Sequence, residues 1–286
     1  MKVGIVGTSG YSGAELLRLL SGHPRAEVVY VASTSKVGQK VGDVLPALER
    51  FYDLTFEPVD GKALGERCDV VFTATPHGVA MELAEDILAG GAVLIDIGSD
   101  FRFRDAATYS EWYGLEHKCP RLAEIAVYGL VELFRDRLAG ASLIANPGCY
   151  PTSALLALAP AVKAGIIELD TIVISSVSGV SGAGATPKPM YHFPDCVENV
   201  QGYGFPGHRH TPEIEQGIGM LAGGAAPPVS FAPHLVPMSR GILTHVAARL
   251  KAPLDTAGAV ELYREFYRGA VFVRVLHDRF PQTKLV

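Results

Sequence analysis

Short apolar runs, each closed by a turn and followed by apolar residues at helical spacing, recur through the first half of the chain. Lys2-Val3-Gly4-Ile5-Val6 is the first, and Gly7-Thr8-Ser9-Gly10-Tyr11-Ser12-Gly13 leads from it into Ala14, Leu16, Leu17, Leu19 and Leu20. Residues 28–32 predict a second strand and 69–75 a third, broken by Pro76-His77-Gly78. A helix over 79–89 and a strand over 93–97 follow, and a last short strand and helix lead up to Cys149. Strands alternating with helices predict a parallel, doubly wound α/β sheet. Residues 104–121 carry Trp112 and two tyrosines but no clean period, and no function is assigned to them.

The second half has a different rhythm. A β-branched strand over 171–177 runs into Ser178-Gly179-Val180-Ser181-Gly182-Ala183-Gly184. Strands are expected over 229–236, 242–250 and 271–276, and a helix over 256–267. Long strands with few crossover helices predict a mixed or antiparallel sheet covered on one side by helices. The expected division is 1–148, a Rossmann-like dinucleotide-binding domain, and 149–286, an α+β domain for substrate and oligomer contacts. No internal repeat or low-complexity linker separates them.

Composition narrows the function classes. With 48% hydrophobic and 19% charged residues the chain reads as globular, and its 286 residues suffice for two cores. A formal net charge of −5 and the lack of a Lys/Arg-rich run argue against nucleic acid or an anionic membrane surface as partner. No apolar run approaches the ~20 residues of a spanning helix, and Met1-Lys2 leads straight into a strand pattern, so the expected compartment is the cytoplasm. Cys68, Cys119, Cys149 and Cys196 are far apart and form no C-x-x-C pair, which suits neither a disulfide framework nor a zinc site.

One of these cysteines has an activating context. In Asn146-Pro147-Gly148-Cys149-Tyr150-Pro151-Thr152 an apolar run ends, a turn follows and a helix-compatible stretch begins. Unpaired N–H groups of a first helical turn, with the positive end of its dipole, favour a thiolate. Pro151 suits a first turn, where its missing N–H costs nothing. A buried cysteine acting as a small apolar residue fits the same stretch.

Strand, glycine loop and helix at residues 2–20 form the phosphate-binding unit of a dinucleotide fold. The spacing is G-x-x-G-x-x-G, which a tight structural turn also satisfies, but its place at the opening of a βαβ pattern is where a cofactor loop belongs. Gly7, Thr8, Ser9, Gly10, Tyr11, Ser12 and Gly13 are the cofactor candidates there. About 20 residues on, where an NAD enzyme carries an acid for the ribose 2′-hydroxyl, the chain has Ser33-Thr34-Ser35-Lys36. Hydroxyls and one cation, Ser33, Ser35 and Lys36, suit a 2′-phosphate, so NADP is expected over NAD. Loops at the carboxyl ends of parallel strands add Pro76 and His77 to the cofactor candidates, and Arg102 as a guanidinium for a carboxylate or phosphate, or else an ordinary ion-pair partner of Asp100 or Asp105. The second glycine loop adds Ser178, Gly179 and Gly182, unless it is only a flexible hairpin.

Gly207-His208-Arg209-His210-Thr211-Pro212-Glu213 reads as a helix start with Thr211 as N-cap, Pro212 at the first position and Glu213 in the first turn. That places His210 beside a helix N-terminus, whose field favours a neutral ring able to act as a base. His208 nearby, with Arg209 and an acid able to orient a ring, shifts the reading from structural histidine towards chemistry. Arg240, after Pro237-Met238-Ser239, lies at a turn where it can face a substrate.

Taken together, the 7–13, 146–152, 178–184 and 208–214 motifs resemble the N-acetyl-gamma-glutamyl-phosphate reductase family, a branch of the semialdehyde dehydrogenases, along the whole chain. The resemblance implies an NADP-dependent oxidoreductase of arginine biosynthesis that converts an acyl phosphate, N-acetyl-L-glutamyl 5-phosphate, to the 5-semialdehyde. It implies Cys149 as the nucleophile of a thioacyl intermediate, His210 as acid/base with His208 as its rival, Glu213 beside them, and Arg102, Asn146, Arg209 and Arg240 as substrate contacts. It also implies a homodimer or homotetramer. Family members continue past the equivalent of Pro281-Gln282-Thr283-Lys284 with a helix that returns to the nucleotide domain, so a chain ending at Val286 is expected to be less stable and less active. Aspartate-semialdehyde dehydrogenase, a carrier-protein-linked reductase of lysine biosynthesis, and a non-catalytic NADP-binding module are the rival readings.

Overall fold

A computed structural model describes residues 1–285 and divides into two compact units. The first comprises Met1–Gly129 and Phe134–Pro147, and the second comprises Leu130–Leu133 and the chain from Gly148 onward.

The first unit opens with β1 (Lys2–Val6), α1 (Tyr11–Leu20) and β2 (Glu27–Ala32), and continues with α2 (Val41–Val44), α3 (Gly61–Arg67), β3 (Val70–Thr73), α4 (Val79–Ala89) and β4 (Val93–Asp96). Then come α5 (Ala106–Tyr113), α6 (Pro120–Ile125), β5 (Val127–Tyr128), α7 (Val131–Leu138), whose residues 131–133 belong to the second unit, and β6 (Leu143–Ala145). Its six strands pair in parallel in the order β2-β1-β3-β4-β6-β5. Parallel strands are covered on both faces, and β1 accordingly buries Val3, Ile5 and Val6 almost completely. Each large apolar side chain buried this way contributes roughly 1.5–3 kcal/mol.

Register aligns the strand ends. Val6 pairs with both Ala32 and Thr73, Thr73 with Asp96, and Asp96 with Ala145. Gly7, Ala74, Ile97 and Asn146 therefore leave the sheet at one level. The chain moves outward from β1 to β2, then returns to β3 on the other side of β1, so the order reverses at the β1/β3 boundary, where an open α/β sheet holds its ligand. The patternless stretch 104–121 folds around α5, whose start is capped by Asp105 accepting from Ala107 and Thr108 and whose end is turned by Gly114 at φ +67°.

The second unit runs through α8 (Cys149–Lys163), β7 (Val173–Ser178), α9 (Phe193–Cys196), β8 (Gln201–Gly202), α10 (Thr211–Ala222), β9 (Ser230–Leu235), β10 (Ile242–Ala247) and α11 (Thr256–Phe266). The sheet is mixed, in the order β10-β7-β9-β8, with β7 parallel to β9 and antiparallel to β10. One face carries Ile174, Ser176 and Phe231 on the side of α8, against which α10 packs, while Val173 and Leu243 on the other are exposed. Gly217 lets α10 approach α8, since a Cβ there would lie 2.4 Å from Leu155.

Two expectations fail. Residues 271–276 form no strand: Val273 N–H donates to Ala270 O in a turn, and Val271 and Phe272 are 86% and 92% exposed. Strand-forming side chains make no strand until the segment pairs with a neighbour, and this one opens in a turn. The cap of α10 is His210, not Thr211, because the helix starts one residue early, with Thr211 N–H donating to His208 O.

Candidate active site

In the first unit the glycines of the 7–13 loop have separate reasons. Gly7 adopts φ +88°, and a Cβ there would meet Ala74 O at 2.3 Å. A Cβ on Gly13 would stand 2.5 Å from both Gly7 O and Thr8 Cα, so its smallness is needed for loop and helix to pack. At Gly10 a Cβ would meet only Gly7 O, at 3.6 Å. No side chain caps α1. Its first-turn N–H groups and the bare Gly10 thus form a cradle suited to a pyrophosphate. Ser9, Tyr11 and Ser12 are exposed around it. Thr8 is fully buried and donates to Ala32 O at 3.3 Å, so its hydroxyl ties the loop to β2.

Beyond β2, Ser33 is buried, with Oγ accepting the Ser35 N–H at 3.3 Å; Ser35 is exposed and Lys36 half-buried. After β3, Pro76 and His77 are exposed, and His77 Nδ1 lies 2.6 Å from Ser99 Oγ with its ring edge against Tyr113.

Arg102 is 8% exposed, with Nε donating to Asn146 O at 2.9 Å and Nη2 to Ile97 O at 3.0 Å. Those two groups staple the end of β4 to the end of β6. Nearby, Asp105 caps α5, and Asp100 accepts from Gly78, Met81 and Tyr109. Asn146 Nδ2 donates to Pro147 O at 3.2 Å. Deeper still, Asp96 accepts from Thr73 Oγ1 (2.8 Å), Gly98 N–H (2.9 Å) and Asp100 N–H (3.1 Å). Burial, and then the charge of Asp100, push its carboxyl up to about 6.

In the second unit Cys149 is the first residue of α8 and is exposed. Pro151 stands in the first turn, and no side chain caps the helix. The preceding N–H, of Gly148, is held by Glu213 Oε1 at 2.8 Å, and Glu213 is fully buried. Tyr150 extends into an aromatic cluster: its ring meets His208 at 5.6 Å, His210 at 5.8 Å and Phe231 at 5.3 Å between centroids. The two imidazoles are edge-on at 4.9 Å. His208 Nδ1 accepts the His210 backbone N–H at 3.1 Å, which puts the proton of a neutral ring on Nε2. Burial, with Arg209 alongside, lowers its pKa to about 4.

Tyr203, in a segment without periodicity, gave no sequence signal. Its hydroxyl is 2.7 Å from that of Tyr150, and its ring lies against His208. The 178–184 loop is laced to the turn before β10 by Gly179 N–H to Gly241 O, Val180 N–H to Met238 O and Ser181 N–H to Ser239 O. Gly179 is required there, since a Cβ would lie 2.7 Å from Arg240 N. Arg240 and Arg209 are exposed, and Gly182 is open on its outer side.

Residues 2–141 match the semialdehyde dehydrogenase NAD-binding domain, and 149–286 match the semialdehyde dehydrogenase dimerisation domain. N-acetyl-gamma-glutamyl-phosphate reductase of Desulforudis audaxviator is 49% identical over 287 residues, covering 100% of this chain and 83% of that protein. The enzyme of the same name from Symbiobacterium thermophilum is 50% identical over 288 residues, with 100% and 82% covered. The chain belongs to the N-acetyl-gamma-glutamyl-phosphate reductase family. Among solved structures, aspartate semialdehyde dehydrogenase II of Vibrio cholerae superposes with a TM-score of 0.71 at 16% identity, covering 99% of this chain and 83% of that one. Aspartate semialdehyde dehydrogenase of Candida albicans gives 0.63 at 19% identity, over 94% and 76%. At those identities the likeness is one of fold. No helix among the described residues is long and apolar enough to cross a membrane, and no cluster of ligating side chains among them suits a metal ion.

Proposed function

We propose that the chain reduces N-acetyl-L-glutamyl 5-phosphate to N-acetyl-L-glutamate 5-semialdehyde with release of phosphate, using NADPH, as a step of arginine biosynthesis. The carrying observation is Cys149, exposed at the first position of an uncapped helix, behind a Gly148 N–H fixed by a buried carboxylate. Its place in the first turn of α8, at the positive end of the helix dipole, favours the thiolate.

The thiolate attacks the acyl carbon; the S–C bond forms as the C–O bond to phosphate breaks, and phosphate departs with the electron pair. NADPH, when bound, supplies the hydride that reduces the thioacyl carbonyl. His210 protonates the resulting oxygen and then takes the proton back, so that the thiohemiacetal collapses to aldehyde and the electron pair returns to Cys149 sulfur. His208, neutral and wedged among Tyr150, Tyr203 and Phe231, orients His210 through the bond to its backbone N–H. The exposed Arg209 and Arg240 are the substrate's anion contacts, while Arg102 and Asn146 shape the chain leading to Cys149.

Cofactor residues are Gly7, Ser9, Gly10, Tyr11, Ser12 and Gly13 around the α1 cradle, with Pro76 and His77 after β3. Thr8 and Ser33 support this loop and the β2 end from within. The preference for NADP rests on Ser35 and Lys36 standing where no acid follows β2. Ser178, Gly179 and Gly182 offer a close backbone approach. A homo-oligomer is supported by the matched dimerisation domain and by exposed Val173 and Leu243 on the open sheet face.

The test is NADPH oxidation with N-acetyl-L-glutamyl 5-phosphate, run on wild type and Cys149→Ala. Turnover in the wild type and none in the variant support the reading. A variant that keeps the rate, or a wild type that oxidises NADPH only with aspartyl phosphate, overturns it.

A further inference from the structure

The helix after β3 lacks a cap of its own. Gly78, the residue before α4, has φ +91° and no side chain to accept a first-turn N–H. Asp100, in the loop after β4, fills that role from the neighbouring strand. Its Oδ1 accepts from Gly78 N–H at 2.9 Å and from the Tyr109 hydroxyl at 3.0 Å. Its Oδ2 accepts from Gly78 N–H at 3.0 Å and Met81 N–H at 3.3 Å. Met81 is the third residue of α4, the place whose N–H an N-cap side chain ordinarily takes. Asp100 is itself held, 1% exposed, by its own N–H on Asp96 Oδ2 and by His117 Nε2 against its carbonyl oxygen at 2.7 Å.

The consequence falls on Thr75-Pro76-His77-Gly78, the last four residues of the connection from β3 to α4. Its start is wedged against Gly7, its middle is tied by His77 to Ser99, and its far end is pinned by Asp100. This connection leaves β3 beside the glycine loop, at the boundary where the strand order reverses. We propose that Asp100, with Ser99, is a positioning residue for the cofactor, holding the 75–78 connection in the shape that accepts a nicotinamide nucleotide. The inference rests on reading the first unit as the cofactor domain. A connection already fixed binds without first being ordered, and that saving appears in cofactor affinity rather than in the chemical step.

The experiment measures NADPH binding by fluorescence titration and steady-state kinetics on wild type, Asp100→Asn and Ser99→Ala. Asn at position 100 turns an amide N–H₂ towards the loop N–H groups that now meet an oxygen. The expected result is a rise in Kd and KM for NADPH of about tenfold in Asp100→Asn and about threefold in Ser99→Ala, the sizes that partial loss of ordering gives. Both variants should keep kcat at saturating NADPH, and KM for the acyl phosphate, within about twofold of wild type. Ser99→Ala decides the matter if Asp100→Asn does not fold. Unchanged NADPH affinity with a lowered kcat or melting temperature overturns the inference alone. A wild type that binds no reduced nicotinamide nucleotide overturns the functional reading and this inference with it.

Discussion

Glu213 Oε1 accepts the backbone N–H of Gly148 at 2.8 Å, so a fully buried carboxylate on α10 fixes the residue before Cys149. Glu213→Ala leaves that N–H unpaired, at a cost of about 1–3 kcal/mol. It also frees the sulfur to shift, and a displacement of this kind lowers kcat by roughly a hundredfold. Glu213→Gln keeps an oxygen acceptor and should stay within about tenfold of wild type. Urea unfolding and kcat on the two variants check this, and equal loss in both would show that charge, not the bond to Gly148, is what matters.

The loop glycines separate folding from binding. Gly13→Ala drives a Cβ to 2.5 Å from Gly7 O, so it should lower stability by about 1–3 kcal/mol. Gly10→Ala, whose Cβ meets only one atom at 3.6 Å, should melt near wild type yet bind NADPH about tenfold more weakly. Thermal melts beside NADPH titrations read the two effects apart.

Pro160 lies inside α8 and has no N–H for the carbonyl of Leu156, four residues back. Tyr267 supplies the missing donor, its hydroxyl 2.5 Å from Leu156 O, and the Tyr263 hydroxyl donates to the next carbonyl, Ala157 O, at 2.6 Å. Tyr267→Phe should cost about 1–3 kcal/mol. In a Pro160→Ala background, where the helix can close its own bond, the same substitution should cost clearly less. Equal costs in the two backgrounds would break the link.

Two buried groups give pH slopes of opposite sign. Between the ordinary histidine value of 6.5 and about 4, the unfolded chain binds a proton that folded His208 refuses, so this contribution is present above 6.5 and lost as pH falls. Discounted for its partial exposure, it amounts to about 2 kcal/mol. Asp96, raised from 3.8 to about 6, works the other way: its contribution is complete below 3.8 and lost as pH rises through 6, about 3 kcal/mol. Unfolding free energy measured from pH 4 to 7 should therefore rise more steeply with pH in Asp96→Asn than in wild type. It should rise less steeply, or fall, in His208→Gln. The reverse pattern would contradict both assignments.

Much of this arrangement was legible from periodicity. The helix expected over 79–89 spans Val79–Ala89, and the loop–helix junction at Cys149 is where the apolar run stops. What stayed hidden depends on partners distant in sequence. Asp100 reads as one more loop acid until Gly78 and Met81 are beside it, and Tyr203 has no signal until its hydroxyl meets that of Tyr150. A guanidinium after a strand suits an anion, which makes Arg102 a candidate from sequence; that it also donates to the carbonyls of Asn146 and Ile97 shows only once those residues are brought beside it. Residues 271–276 carry strand-forming side chains, but pairing needs an edge that local sequence does not reveal.

The account turns on Cys149 sulfur taking the acyl group before any reduction occurs. Mixing the protein with N-acetyl-L-glutamyl 5-phosphate in the absence of NADPH, followed by peptide mass spectrometry and phosphate release, tests that directly. A stoichiometric burst of phosphate, with the acyl mass on the peptide carrying Cys149, is the predicted result. No phosphate release until reductant is added, or an acyl mass on another residue, would contradict it.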